Sequence, residues 1–203
     1  MAPQQPVSIA PATMAEAPAI RTVLAHSLSE DPMLTWMFPQ RDALRLSRIA
    51  FFFSGQVERL VGHGLVHSAM VEGEIVGAAL WIPEGTPRLD SLPRPRDIMG
   101  ILLGETRNRD LIDEFTAARD GAPSVAGTYL ATLGVLEEYR GHEVGTRLVE
   151  AGHRAITGPT WVETTSPRNL PFYRRLGYEV VHEAPFAGGT TTMTRLVRDT
   201  MAP

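Results

Sequence analysis

The chain of 203 residues contains no cysteine, which excludes disulfides, thiolate metal sites and a covalent acyl-cysteine intermediate. No apolar run approaches the ~18 residues that a membrane-crossing helix needs. Charge of one sign is also scarce. Lys and Arg number 19 against 23 Asp and Glu, a formal net charge of -4 with a sequence pI near 5.9. There is thus no broad basic field to gather nucleic acid. The opening stretch MAPQQPVSIAPATM lacks the positive and apolar regions of a secretory signal. The expectation is a cytoplasmic protein that binds neither nucleic acid nor membrane. The 6 histidines follow no metal-ligand spacing. His142 and His153 read as surface positions, and no metal is expected.

What is present is ordinary for a globular α/β chain: 43% hydrophobic and 21% charged residues. Residues 1–6, rich in Pro and Gln, read as a disordered leader, and 7–200 as a single domain with a Met-Ala-Pro tail behind it. A short strand is expected at Val7–Ala10. Thr13 and Glu16 have capping-box spacing, but Pro18 delays the helix so that it falls in the first turn. Apolar residues from Leu46 to Val61 recur at three- and four-residue steps, predicting an amphipathic helix over Arg41–Val61. Two strands, Leu65–Val71 and Ile75–Ile82, form a hairpin around Gly73. Pro83, Gly85, Pro87, Pro93 and Pro95 interrupt regular structure, and two helical pieces follow up to Arg119.

The second half alternates strand and helix more sharply. Strands are expected at Thr128–Val135, Thr160–Thr165, Tyr178–Glu183 and Thr190–Leu196. One helix carries Val144, Leu148, Gly152 and Ala155, and a short one at Asn169–Leu176 stops at Gly177. The fold class is α/β with a mixed sheet flanked by helices.

Residues 130–148, LATLGVLEEYRGHEVGTRL, place a strand end, a glycine-bearing turn with Arg140, and a helix start in succession. Helix N-termini present unpaired N–H groups and a positive dipole end to phosphates. A plain strand-to-helix connection would use the same residues. The run WVETTSPRNLPFYRRLGYEVV follows about thirty residues later.

Together the two segments resemble the GNAT superfamily of acyl-CoA-dependent N-acyltransferases. There a Leu-Gly-Val-like strand end leads into an Arg-x-x-Gly-x-Gly pyrophosphate loop. An Asn-x-x-Phe-Tyr-x-x-x-Gly-Phe-like run comes later, matched here by Asn169, Phe172, Tyr173, Gly177 and Tyr178. More narrowly, LATLGV, ETTSPRNLPFYRRLGY and Met193-Thr194-Arg195 are similar to the puromycin N-acetyltransferases and related antibiotic-modifying enzymes. The resemblance implies a mostly antiparallel sheet, with CoA entering where two neighbouring strands splay. It implies acetyl-CoA as co-substrate and a small-molecule primary amine as acceptor, with a puromycin-like antibiotic among the candidates. Leu133, Gly134 and Val135 would pair with the pantetheine arm. Arg140, Gly141, His142, Glu143, Val144, Gly145 and Thr146 would cradle the pyrophosphate, and Asn169 would contact the arm. Tyr173 would protonate the departing thiolate. A monomer or homodimer is implied.

One position departs from the motif: Glu143 stands where the pyrophosphate loop has glycine, placing a negative charge near a doubly charged ligand. For the general base, Glu163 is one reading and a structural carboxylate bonded to neighbouring backbone the other. Glu30, Asp31 and Trp36 are candidate acceptor-binding residues, with a solvated turn as the alternative for the two acids. Trp36, Trp81 and Phe51–Phe53 either shape an apolar amine pocket or pack in the core. Tyr173 also fits a core aromatic at helical spacing. Two further functions stay open: acetylation of a protein N-terminus or lysine, and a CoA-binding scaffold whose activity has decayed.

Overall fold

A computed structural model describes residues 6–86 and 95–199. The disordered-leader expectation for residues 1–5, the breakers Pro87 and Pro93, and the chain from 200 onward lie outside the described residues. Seven strands form one sheet in the order β1-β2-β3-β4-β5-β7-β6. They are β1 Ser8–Pro11, β2 Val66–Val71, β3 Glu74–Ile82, β4 Thr128–Val135, β5 Thr160–Thr164, β6 Glu179–Phe186 and β7 Thr191–Arg198. Every neighbouring pair is antiparallel except β4 and β5. This is the mostly antiparallel mixed sheet that the motifs implied. The β2–β3 hairpin closes through Glu72 and Gly73 at φ 51° and 85°. Positive φ at both central residues is the turn that matches strand twist.

The helices are α1 Ala17–Ser27, α2 Pro32–Met37, α3 Arg45–Val61, α4 Pro95–Leu103, α5 Glu105–Arg119, α6 Val144–Ala155 and α7 Leu170–Arg175. Ahead of α1, Glu16 Oε2 accepts from the Thr13 backbone N–H at 2.6 Å, with Pro18 in the helix's first turn, as the spacing predicts. α3 begins four residues later than its periodicity suggests. The Asp42 carboxylate accepts from Leu44 N at 2.9 Å and holds the chain in a turn. Pro95, read as a breaker, instead opens α4, where a missing N–H costs nothing. α2 was not legible as a helix. Its signal is Asp31, whose Oδ1 caps the N–H groups of Met33 (2.9 Å) and Leu34 (3.4 Å).

The sheet is buried on both faces, so β3 reads as a continuous apolar run. Its period of two sorts that run. Ala78 and Leu80 pack with Leu24 of α1 and with Ile49, Phe53 and Val57 of α3. Ala79 and Trp81 pack with Val144, Leu148 and Val149 of α6. Trp81 is therefore core, not acceptor pocket: it lies so close under Gly152 that a Cβ there would overlap the indole. His153, expected at the surface, is drawn in beside this ring. It lies 2.9 Å from the Tyr178 hydroxyl, and burial together with Arg198 lowers its pKa to about 4.

Candidate active site

β4 and β5 pair only from Thr128↔Thr160 to Leu130↔Val162. Beyond Leu130 the two strands diverge, while β4 stays paired to β3 as far as Val135. The unpaired edge of β4 faces the opening. Val135 O, for example, accepts from Arg140 Nε at 3.2 Å. Strand alternation turns the N–H groups of Leu133 and Val135 the same way, so the edge can pair with an extended, amide-bearing ligand. A groove of about 530 Å³ runs over this edge. Leu133, Gly134, Val135, Arg140, Gly141, Glu143, Val144, Gly145, Thr146 and Asn169 line it. That brings together the expected cofactor residues with one exception: His142 is exposed and outside the lining.

At the far end of the groove stands the N-terminus of α6. Glu143 O takes the first helical bond from Arg147 N at 2.9 Å, which leaves the preceding N–H groups of the first turn as donors for an anion. Gly141 has φ 78° and Glu143 φ 60°. The second value explains the motif's glycine: position 143 is left-handed, a conformation that costs a non-glycine residue about 1–2 kcal/mol. Arg140 is not aimed outward as a free cation. It donates from Nη2 to Ser27 O at 2.6 Å as well as from Nε to Val135 O, stapling α1 to the end of β4. Arg168 and Arg175 also line the groove and supply positive charge that the sequence reading did not assign. Their signal was Arg168 immediately before Asn169 and Arg175 two residues after Tyr173.

A second cavity of about 220 Å³ adjoins the groove. Both are lined by Leu28, Asp31, Leu133, Asn169 and Tyr173. Phe52, Phe53, Ile82, Phe115 and Met193 give the second cavity an apolar body. Asp31 is fixed between its cap bonds and the Thr165 hydroxyl, which donates to Oδ1 at 3.2 Å. Burial pushes its carboxyl above the usual carboxylate range, against the pull of the Leu34 and Met33 N–H groups and Thr165. The loop that carries it is pinned by buried Arg45, which donates to Phe38 O at 2.7 Å and to Ser29 O.

Tyr173 is buried edge-on between Phe172 (5.1 Å) and Tyr178 (5.7 Å). Burial, with smaller contributions from Tyr178, Tyr129 and Asp31, raises its phenol well above the ordinary value. It therefore stays protonated. Asn169 Nδ2 donates to Thr164 Oγ1 at 3.1 Å, which fixes the amide at the junction. Glu163 lines the second cavity, but as a paired carboxylate. Arg119 and Arg195 close on it from two sides at 2.6 and 2.7 Å. This geometry favours a structural role, with two distant arginine side chains in place of the expected backbone partners.

The other acceptor candidates separate. Glu30 lines the groove, not the second cavity, and accepts from Gln40 at 3.3 Å. Trp36 points away from both. It packs edge-on against Phe186 at 5.9 Å and carries Arg107 over its ring at 5.5 Å. Met33 and Leu34 of α2 line the second cavity, whereas Trp36 is absent from the lining of both cavities. Phe52 and Phe53 line the cavity, whereas Phe51 is exposed. Among the described residues no His, Cys, Asp and Glu cluster could hold a metal ion, and no helix is long and apolar enough to cross a membrane.

Comparison with known proteins agrees with this architecture. Residues 105–180 match the family described as the acetyltransferase (GNAT) domain. A Corynebacterium glutamicum structure described as histone acetyltransferase HPA2 and related acetyltransferase shares 26% identity. The match covers 98% of this chain and 99% of that one, at a TM-score of 0.73. Two more distant likenesses bear on the fold alone. The C-terminal condensation domain of Ebony, solved with β-alanyl-dopamine, is 12% identical over 97% of this chain and 100% of that one, TM-score 0.67. A Drosophila melanogaster polyamine N-acetyltransferase that forms N-acetylagmatine is 19% identical over 96% and 100%, TM-score 0.60. The splayed strands, the glycine turn into α6 and the matched segment agree: this protein has the fold of the GNAT acyl-CoA N-acyltransferases, and its residues 105–180 are similar to the GNAT acetyltransferase domain.

Proposed function

We propose that the protein transfers the acetyl group of acetyl-CoA to the primary amine of a small molecule. The observation that carries this reading is the meeting of two cavities at Asp31, Asn169 and Tyr173, where β4 and β5 splay. One cavity is long, edged by free strand amides and ends on a helix N-terminus, which suits an extended phosphorylated ligand. The other is small, about 220 Å³ with an apolar body and polar groups in its wall, below the ~300–1,000 Å³ of drug-sized ligand pockets. It suits a compact amine. Neighbours that act on agmatine or hold β-alanyl-dopamine support a small acceptor.

Acetyl-CoA, when bound, supplies the acetyl group as a thioester. Leu133 and Val135 offer N–H groups to the arm and the carbonyl, and the first turn of α6 with Arg168 and Arg175 faces the phosphates. Asp31 attracts the ammonium and takes its proton on the carboxylate, whose raised pKa suits a base. Tyr173 keeps its hydroxyl proton at the junction and donates it to the departing sulfur. No protein nucleophile is needed for direct transfer.

An antibiotic acceptor of the puromycin type and a peptide acceptor are the narrower alternatives. A mass-spectrometric panel of agmatine, aryl-alkyl amines, puromycin and lysine peptides separates them. The chain has no lysine, so any acetyl-lysine detected there comes from the substrate. The reading predicts that Tyr173→Phe lowers kcat about 100-fold with unchanged affinity for acetyl-CoA. A wild-type kcat in that variant removes Tyr173 from the reaction.

A further inference from the structure

We infer that the acceptor is a zwitterion, a primary amine joined through an apolar body to an anionic group that seats against Arg119. The inference rests on the assignment of the second cavity to the acceptor. It is carried by the charge and donor pattern of that cavity's wall.

At the junction the carboxylate of Asp31 provides the negative pole. The other acidic group in the lining, Glu163, is already matched: Arg119 donates to it from Nε and Nη2, and Arg195 from Nε and Nη2. Two guanidiniums against one carboxylate leave the cluster with a net positive charge. Arg195 is sealed behind it, with Nη1 bonded to Pro123 O at 2.9 Å. Arg119 is the member that lines the cavity, its side chain 41% exposed where Glu163 is 5%.

The polar neighbours in this wall add donors. Thr132 gives its hydroxyl to Gln56 Oε1 at 3.3 Å, so the Gln56 amide presents its N–H groups elsewhere. Tyr129, stacked at 4.1 Å on Trp161, keeps a phenol that burial holds protonated. Phe52, Phe53, Phe115 and Met193 line the same cavity, with Phe115 under the Arg119 guanidinium at 4.9 Å. A wall of donors and excess positive charge complements a carboxylate or a phosphate monoester, and discriminates against a second ammonium.

Two matched pairs test this on the intact protein with saturating acetyl-CoA: phenethylamine against 4-(2-aminoethyl)benzoate, and tyramine against O-phosphotyramine. The expected result is that kcat/KM for at least one acid exceeds its neutral partner by about tenfold or more. Which acid wins identifies the anion as carboxylate or phosphate. Arg119→Gln brings that ratio close to unity and leaves KM for acetyl-CoA unchanged, while Arg119→Lys retains a preference. If Arg119→Gln does not fold, the ratios in the unmodified protein still decide.

Equal rates within both pairs, preference for the neutral amines, or turnover of spermidine with none of the acids overturns the inference while leaving acetyl transfer standing. If no amine is turned over, calorimetric titration of both acids into the CoA-loaded protein decides. Binding at least tenfold tighter than that of their partners supports the inference, and anything weaker overturns it. Failure of acetyl-CoA itself to bind would sink the reading of the site as well.

Discussion

The Thr165 hydroxyl donates to Asp31 Oδ1 at 3.2 Å, joining the chain just after β5 to the start of α2 across 134 positions of sequence. That contact sets a carboxylate at the point where the groove and the second cavity share a wall.

Asp31→Asn preserves a good helix cap but removes the base. kcat/KM should fall about 100-fold or more, with acetyl-CoA affinity retained. Desolvation raises the Asp31 pKa in the folded protein, so the native state favours the protonated form. Its stabilising contribution is full below the unfolded pKa and is lost as pH rises through the folded one. The variant should therefore be at least as heat-stable as the parent at pH 7. In the parent, the acid limb of the kcat/KM profile should lie above the ordinary carboxylate range. A thermal-shift series and that profile check both points.

Glu163→Gln distinguishes the two readings of this residue. As a structural anchor, its loss strands Arg195, which is largely buried, and partly exposed Arg119. The cost should be a few kcal/mol, below the ~3–5 for breaking a fully buried pair. Activity should fall modestly with the acid limb of the pH profile in place. Disappearance of that limb would make Glu163 the base after all.

Much of the site was legible because its chemistry is local. The turn at Gly141, the helix start at Val144 and the Asn169–Tyr173 run each sit within a few residues, so the family resemblance could be carried on short, contiguous motifs. The pairing of Glu163 was not legible, because Arg119 and Arg195 lie 44 and 32 positions away. Asp31 and Trp36 were both candidates for the acceptor pocket. Only the short helix α2 separates them, turning one to the cavity and the other to Phe186. Trp81 could not be assigned to core or pocket until β4 paired with β3 and α6 covered its face. Arg140 reads as a phosphate ligand from the motif. Its bond to Ser27 O depends on α1, 113 positions earlier.

Glu143→Gly should improve cofactor binding. The left-handed backbone at φ 60° suits glycine, and removing the carboxylate takes a like charge from beside the phosphates. CoA affinity should rise on the order of fivefold. Stability should change by less than about 1 kcal/mol, since relief of strain and the freer unfolded chain oppose each other. Parallel titration and urea unfolding measure the two effects. A gain of several hundredfold would point instead to a site whose present ligand is not CoA.

Gly152→Ala tests the packing beneath α6. The added methyl would overlap the Trp81 ring, and overpacking of this kind costs about 1–3 kcal/mol. A lower Tm with unchanged KM for both substrates is expected, because Trp81 faces the core and neither cavity.

Calorimetric titration of the unmodified protein with acetyl-CoA tests the central claim most directly. The account predicts saturable one-to-one binding in the micromolar range, carried by the β4 edge and the first turn of α6 with Glu143 in place. Absence of saturable binding by acetyl-CoA, CoA and a longer acyl-CoA alike would contradict it.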